Sequence, residues 1–120
     1  MTTILTTLSW VKIPGWHRAN LVGFAHVRGL YRARLDGETM FIGRAAAEGS
    51  SLKSRLDANR KRYGTGHNHF AGQMIYEHRA EIVMEIAVLD RPAFEINQLA
   101  DGFIDRLQPP WNRQTDGFRQ

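Results

Sequence analysis

Arginine is the residue type with the most chemistry to offer in this chain. Thirteen Arg stand against three Lys, and the net charge is +4 with an isoelectric point near 10. A guanidinium grips a phosphate through two parallel N–H donors, whereas an ammonium is a point charge. The cations are also clustered. From Arg18 to Arg62 there are ten Lys or Arg against four acids, Asp36, Glu38, Glu48 and Asp57. A basic half of this kind suits a polyanion. A solvated basic face has the same composition, and charge alone does not separate the two. Near these cations lie Tyr31, with a phenolic hydroxyl, and His67 and His69 in the polar loop GTGHNH. Cys is absent, which removes a thiol nucleophile, a Cys-based zinc site and any disulfide.

The segments that must position these groups read as a small α+β layer fold. Leu30, Arg32 and Arg34 alternate with Tyr31, Ala33 and Leu35 as in a strand, Asp36-Gly37 is a tight-turn dipeptide, and Met40-Phe41-Ile42 follows as a second strand. Ser50 or Ser51 then caps a helix with Leu52 and Leu56 on one face. A short helix is predicted from His69, with Phe70, Met74 and Ile75 inward. AEIVMEIAVL reads as a buried central strand. The last helix is expected to start at Asp90, with Asp as cap and Pro92 in the first turn. It carries Ile96, Leu99, Phe103 and Leu107 at helical spacing and stops at Gln108, before Pro109-Pro110.

With 42% hydrophobic residues, 120 residues suffice for one core. No long apolar run suggests a membrane span, and the N-terminus lacks the basic start and apolar stretch of a signal peptide. A cytoplasmic setting is therefore the expectation, with no membrane and no protein partner implied. Residues 1–27 read as an N-terminal extension whose aromatics cover one side of the core, and 114–120 as a C-terminal tail.

Gly29-Leu30-Tyr31 and Phe41-Ile42-Gly43, with Tyr31 and Phe41 ten residues apart, resemble the two namesake triplets of the GIY-YIG nuclease superfamily. Arg44 matches the basic residue after the second triplet. Arg55-Leu56 matches the RL pair of the first helix, after an insertion around Ala46–Ser50. Pro109-Pro110-Trp111-Asn112 matches the terminal Pro-x-x-Asn signature. The resemblance spans residues 28–113, and four landmarks in order make it more specific than either triplet alone. It implies a small mixed or antiparallel three-stranded sheet flanked by helices. The implied function is metal-dependent hydrolysis of DNA phosphodiester bonds, with one Mg²⁺ or Mn²⁺ to neutralise charge on the phosphate. Tyr31 would orient or deprotonate the attacking water. Arg55 would clamp the scissile phosphate, and Arg44 that phosphate or its neighbour. Asn112 would hydrogen-bond near the site. Arg32, Phe41, Arg60, Arg62 and His67 would contact DNA, with the strandedness of the substrate open.

Three positions depart from the pattern. Phe41 stands where the second Tyr usually sits, so no hydroxyl is available there. Asn59 replaces a His or Tyr four residues after the helix Arg, which leaves His69, or less so His67, as a substitute base. Counting back from Pro109-Pro110, the metal-binding Glu falls on Ala100, which cannot bind a metal. Three explanations stand: a natural nucleic-acid-binding module without catalysis, a ligand role for Asp101 or another acid such as Glu77 or Glu95, or a deliberate Glu-to-Ala change in an otherwise intact nuclease. The last accounts for the fit of every other landmark. A basic protein-interaction domain is a weaker alternative.

Overall fold

The fold is built around a hairpin whose turn is set by two residues. In the computed structural model, which describes residues 8–60 and 70–112, strands β2 (Gly29–Leu35) and β3 (Glu38–Ala45) are joined by Asp36-Gly37. Both turn residues have positive φ, 53° and 81°. That is the requirement of the hairpin turn whose twist matches the strands, and Asp and Gly tolerate it. Tyr31 pairs with Gly43 and Ala33 with Phe41, but Arg34 pairs with Thr39. One extra residue, Met40, therefore forms a bulge in β3.

The sheet has four antiparallel strands in the order β1-β4-β2-β3. This corrects the expected three. The added strand β1 (Val11–Lys12) comes from the N-terminal segment and pairs with Ile86 and Glu85 of β4 (Val83–Val88). Beyond it the Ile13 amide donates to the Met84 carbonyl at 2.9 Å. These bonds occupy part of the outer edge of β4, whose backbone groups would otherwise be unpaired. The same segment buries Trp16 and Leu21 in the core.

Strand alternation splits the interior in two. On one face Tyr31, Ala33, Met84 and Ile86 pack with Trp16 and Leu21, with Leu52 and Leu56 of α1 (Leu52–Arg60), and with Ile75 of α2 (Phe70–Glu77). Ile75 is fully buried as expected, whereas Phe70 and Met74 are only half-buried. On the other face Leu30 and Ala46 pack against Ile96 and Ala100 of α3 (Ala93–Leu107).

The helix ends follow local chemistry. Ser51 caps α1: its hydroxyl accepts the Ser54 amide at 3.0 Å while the Ser54 hydroxyl accepts the Ser51 amide at 2.9 Å. This is a capping box with Ser in the place of Glu. The start of α3 differs from expectation. Pro92 occupies the cap, with ψ at 152°, and no side chain caps the helix. The Pro92 carbonyl instead receives the amides of Glu95 and Ile96, and Asp90 is left exposed outside the helix. At the far end Gln108 is left-handed, with φ 50°, and its amide donates to the Ile104 carbonyl. Pro109 blocks further winding. Among the described residues no helix is long and apolar enough to cross a membrane.

Arg60 fastens the N-terminal segment to α1. Its guanidinium donates to the carbonyls of Trp16 and Ala19 at 3.1 and 2.6 Å and pairs with Asp57 at 2.7 Å. Asp57 also receives Lys53 at 2.7 Å. Partial burial, the largest single influence, raises the Asp57 pKa, but the hydrogen bonds and charges of Lys53 and Arg60 together hold it below the ordinary 3.8. A carboxyl whose folded pKa is depressed adds stability above its unfolded pKa and loses it as pH falls through the folded value. Asp57→Asn is therefore expected to cost about 1–2 kcal/mol at pH 7. The gap to the parent should begin to narrow in urea titrations as pH drops below 3.8 and should close only once pH has fallen through the still lower folded pKa, where the folded parent carboxyl is itself protonated.

Candidate functional site

Strand β3 is the open edge of the sheet, and a cleft of about 520 Å³ lies along it between α1 and α3. Its deepest polar group is Tyr31. The ring lies across β3 because its strand partner is Gly43; a Cβ there would overlap the Tyr31 ring and hydroxyl. Phe41 packs against the ring, with centroids 5.9 Å apart. The ring is almost fully buried, with only 1% of the residue exposed, so its position is fixed. The Asn59 amide donates to the Tyr31 oxygen at 3.0 Å. With that lone pair taken, the phenolic O–H is directed to another acceptor.

Two guanidinium groups flank this hydroxyl. Arg44 rises from β3 and donates to Asp101 at 2.7 Å and to the Asn97 side-chain oxygen at 3.3 Å. Arg55 comes from α1 on the opposite wall and is exposed. It lines the cleft, and its guanidinium has no hydrogen-bond or ion-pair partner among the described residues. Asn112 closes one end. Its amide accepts the Ile42 N–H at 2.8 Å and donates to the Ile42 C=O at 3.0 Å. It thus satisfies both backbone groups that Ile42 turns toward the open edge. Its role in this arrangement is to hold β3, while Ile104 contributes an apolar wall.

Of the residues singled out in the sequence, Tyr31, Phe41, Arg44, Arg55 and Asn112 meet in one cleft. Arg32 does not. It lies on the α3 face, pairs with the buried Glu85 at 2.5 Å and covers the Trp10 ring at 4.3 Å. Arg60 is committed to Asp57 and two backbone carbonyls. Arg62, His67 and His69 lie outside the described residues. Asn59, which offers no base, instead orients the phenol. Its Arg55+4 spacing on the helix was the available signal.

Ala100 is fully buried beside Leu30, Ala46 and Ile96. Helical neighbours turn by about 100°, so when Ala100 faces the sheet it is Asp101 that reaches the cleft edge. Among the described residues Asp101 is the one carboxylate lining the cleft, and Arg44 already neutralises it. Glu95 pairs with Arg91 and Glu77 is at the exposed end of α2. No group of three or more His, Asp or Glu suited to a cation occurs among the described residues. Mg²⁺ and Mn²⁺ want several oxygen ligands, and a lone carboxylate in an ion pair with arginine does not fit a resident ion.

No protein-family model matches the chain, and no curated protein matches it either.

Two substitutions test this geometry. Ala100→Glu should destabilise the domain by roughly 3 kcal/mol or more, through a carboxylate placed among apolar side chains. An unchanged melting temperature would show that position 100 reaches solvent after all. Gly43→Ala should cost about 1–3 kcal/mol from overpacking against Tyr31, read as a lower urea midpoint at constant slope.

Proposed function

We propose that this chain is a nucleic-acid-binding domain on a GIY-YIG-type nuclease scaffold, and that it holds a DNA backbone phosphate between Arg55 and Arg44. The observation that carries this is the exposed, partnerless guanidinium of Arg55 facing Arg44 across a cleft with a phenolic O–H at its base. Buried or paired arginines serve packing; an arginine held on a rigid helix beside a second cation, with no acceptor of its own, is a ready anion site.

The phosphate contest with Asp101 has a clear winner. An exposed Arg–carboxylate pair is worth about 0–1 kcal/mol, and the Asp101 side chain is 69% exposed, so water replaces Arg44 there at little cost. A phosphate offers Arg44 charge-assisted bonds as well, and it also satisfies Arg55 and the Tyr31 O–H. The +4 net charge adds a general attraction to polyanions that weakens with salt.

Metal-dependent DNA cleavage is the second reading. It is favoured by one observation, that Asp101 places a carboxylate in the same cleft as the Tyr31 hydroxyl and two guanidinium groups.

Arg55→Ala is expected to lower affinity for a short DNA at least tenfold. It should also reduce the slope of log affinity against log salt by roughly 0.7–0.9, the share of one phosphate contact. Equal affinity and slope in parent and variant would sink the phosphate site. Incubation of the parent with DNA and Mg²⁺ or Mn²⁺ is expected to leave the DNA intact. Cleavage that Asp101→Ala abolishes would put the second reading first.

A further inference from the structure

A second concavity, of about 290 Å³, adjoins the first and shares Arg44 and Arg55 with it. Its remaining walls are Ala46, Ala47 and Ser50 on one side and Asn97 of α3 on the other. These first three belong to the turn between β3 and α1, so that turn builds a space of its own.

The walls are fixed before any ligand arrives. Arg28 donates to the Ala46 carbonyl at 3.0 Å and to the Arg91 carbonyl at 3.2 Å, tying the turn to the start of α3. The Ser50 amide closes the turn on the Ala47 carbonyl at 2.9 Å. The polar groups left over are donors without acceptors. Asn97 gives its side-chain oxygen to Arg44, while its NH₂ makes no hydrogen bond among the described residues. The Ser50 hydroxyl makes none either. Ala46 and Ala47 line the space between them. Small apolar surface with a few unsatisfied polar groups at its rim, next to a phosphate grip, is the profile of a compact polar ring rather than of a second phosphate.

We infer that this concavity is a nucleoside subsite. It takes the sugar and the unpaired base next to the phosphate held by Arg44 and Arg55, and the inference rests on that phosphate reading. The Asn97 NH₂ and the Ser50 hydroxyl meet acceptors on the base edge or sugar, and the ring lies along the Ala46-Ala47 wall. A base in this space has left its partner, so the preferred ligand is single-stranded DNA or an unpaired nucleotide at a junction or end.

The experiment compares a labelled oligonucleotide of about ten nucleotides as a single strand and as a blunt duplex, by fluorescence anisotropy. The full chain is tested beside Ala47→Phe, which fills the concavity from an exposed position, and beside Arg55→Ala. The parent should prefer the single strand. Ala47→Phe should lower single-strand affinity about tenfold, the scale of one base contact, and leave duplex affinity unchanged. Arg55→Ala should lower both. Ser50→Tyr fills the same space from the other wall and keeps the test decisive if Ala47→Phe melts early. The subsite is overturned, with the phosphate grip intact, if both filling variants keep the parent's single-strand affinity while Arg55→Ala weakens both ligands. A parent that binds duplex as tightly as single strand overturns it too. If Arg55→Ala weakens neither, the phosphate reading fails and the subsite falls with it.

Discussion

An edge strand must find partners for backbone groups that no neighbouring strand supplies, and in this domain the edge is also the wall of the cleft. β3 resolves the conflict at Ile42, where the Asn112 side chain takes both the N–H and the C=O. An amide is the one neutral side-chain group that offers a donor and an acceptor side by side, so it stands in for a strand without the width of one. The cleft on either side stays open. Everything else in the site depends on β3 being held there: Gly43 admits the Tyr31 ring, Arg44 projects from the next position, and α3 ends in the left-handed Gln108 and Pro109 that bring Asn112 back to the strand.

Arginine content is a poor guide to a ligand site in this chain, because several of its arginines already serve the fold. Arg60 holds backbone carbonyls of the N-terminal segment, Arg28 pins the turn before α1, and Arg32 compensates the buried Glu85. A buried carboxylate left without its cation would be costly, so Arg32 has little freedom to leave. Among the described residues Arg44 is held only by the exposed Asp101 and by Asn97, and Arg55 makes no hydrogen bond or ion pair. The cations that matter for the proposed anion site are therefore the ones the fold does not use.

The legible parts of the sequence were those set by neighbours in the chain. Asp36-Gly37 and the flanking alternation announce the hairpin, and Leu52 with Leu56 announces α1 under a serine cap. Tyr31, Gly43, Arg44 and Arg55, which the resemblance to the GIY-YIG pattern singles out, meet in one cleft. What escaped was decided by distant contacts. β1 is two residues long and has no periodicity to read; it exists because β4 has an edge to cover. Asp90 has the composition of a cap, but the extended ψ of Pro92 starts the helix later. The rotation of α3 is settled by how Ile96 and Ala100 seat on the sheet, and that moved the cleft acid from the counted position to Asp101. Arg32, expected to contact DNA, is instead taken up by Glu85 on the adjacent strand.

The bulge at Met40 separates two parts of the hairpin that would otherwise move together. From Gly29 to Ala33 the register is locked to Ala45 through Phe41, and beyond the bulge a shifted register carries the strands to the Asp36-Gly37 turn. The extra residue absorbs the mismatch, so each part keeps its own alignment of inward and outward side chains. In evolutionary terms the hairpin tip is a free module. It can lengthen, shorten or change its charge without disturbing Tyr31, Gly43 or Arg44, and variation in what the domain meets at that end need not be bought with the geometry of the cleft.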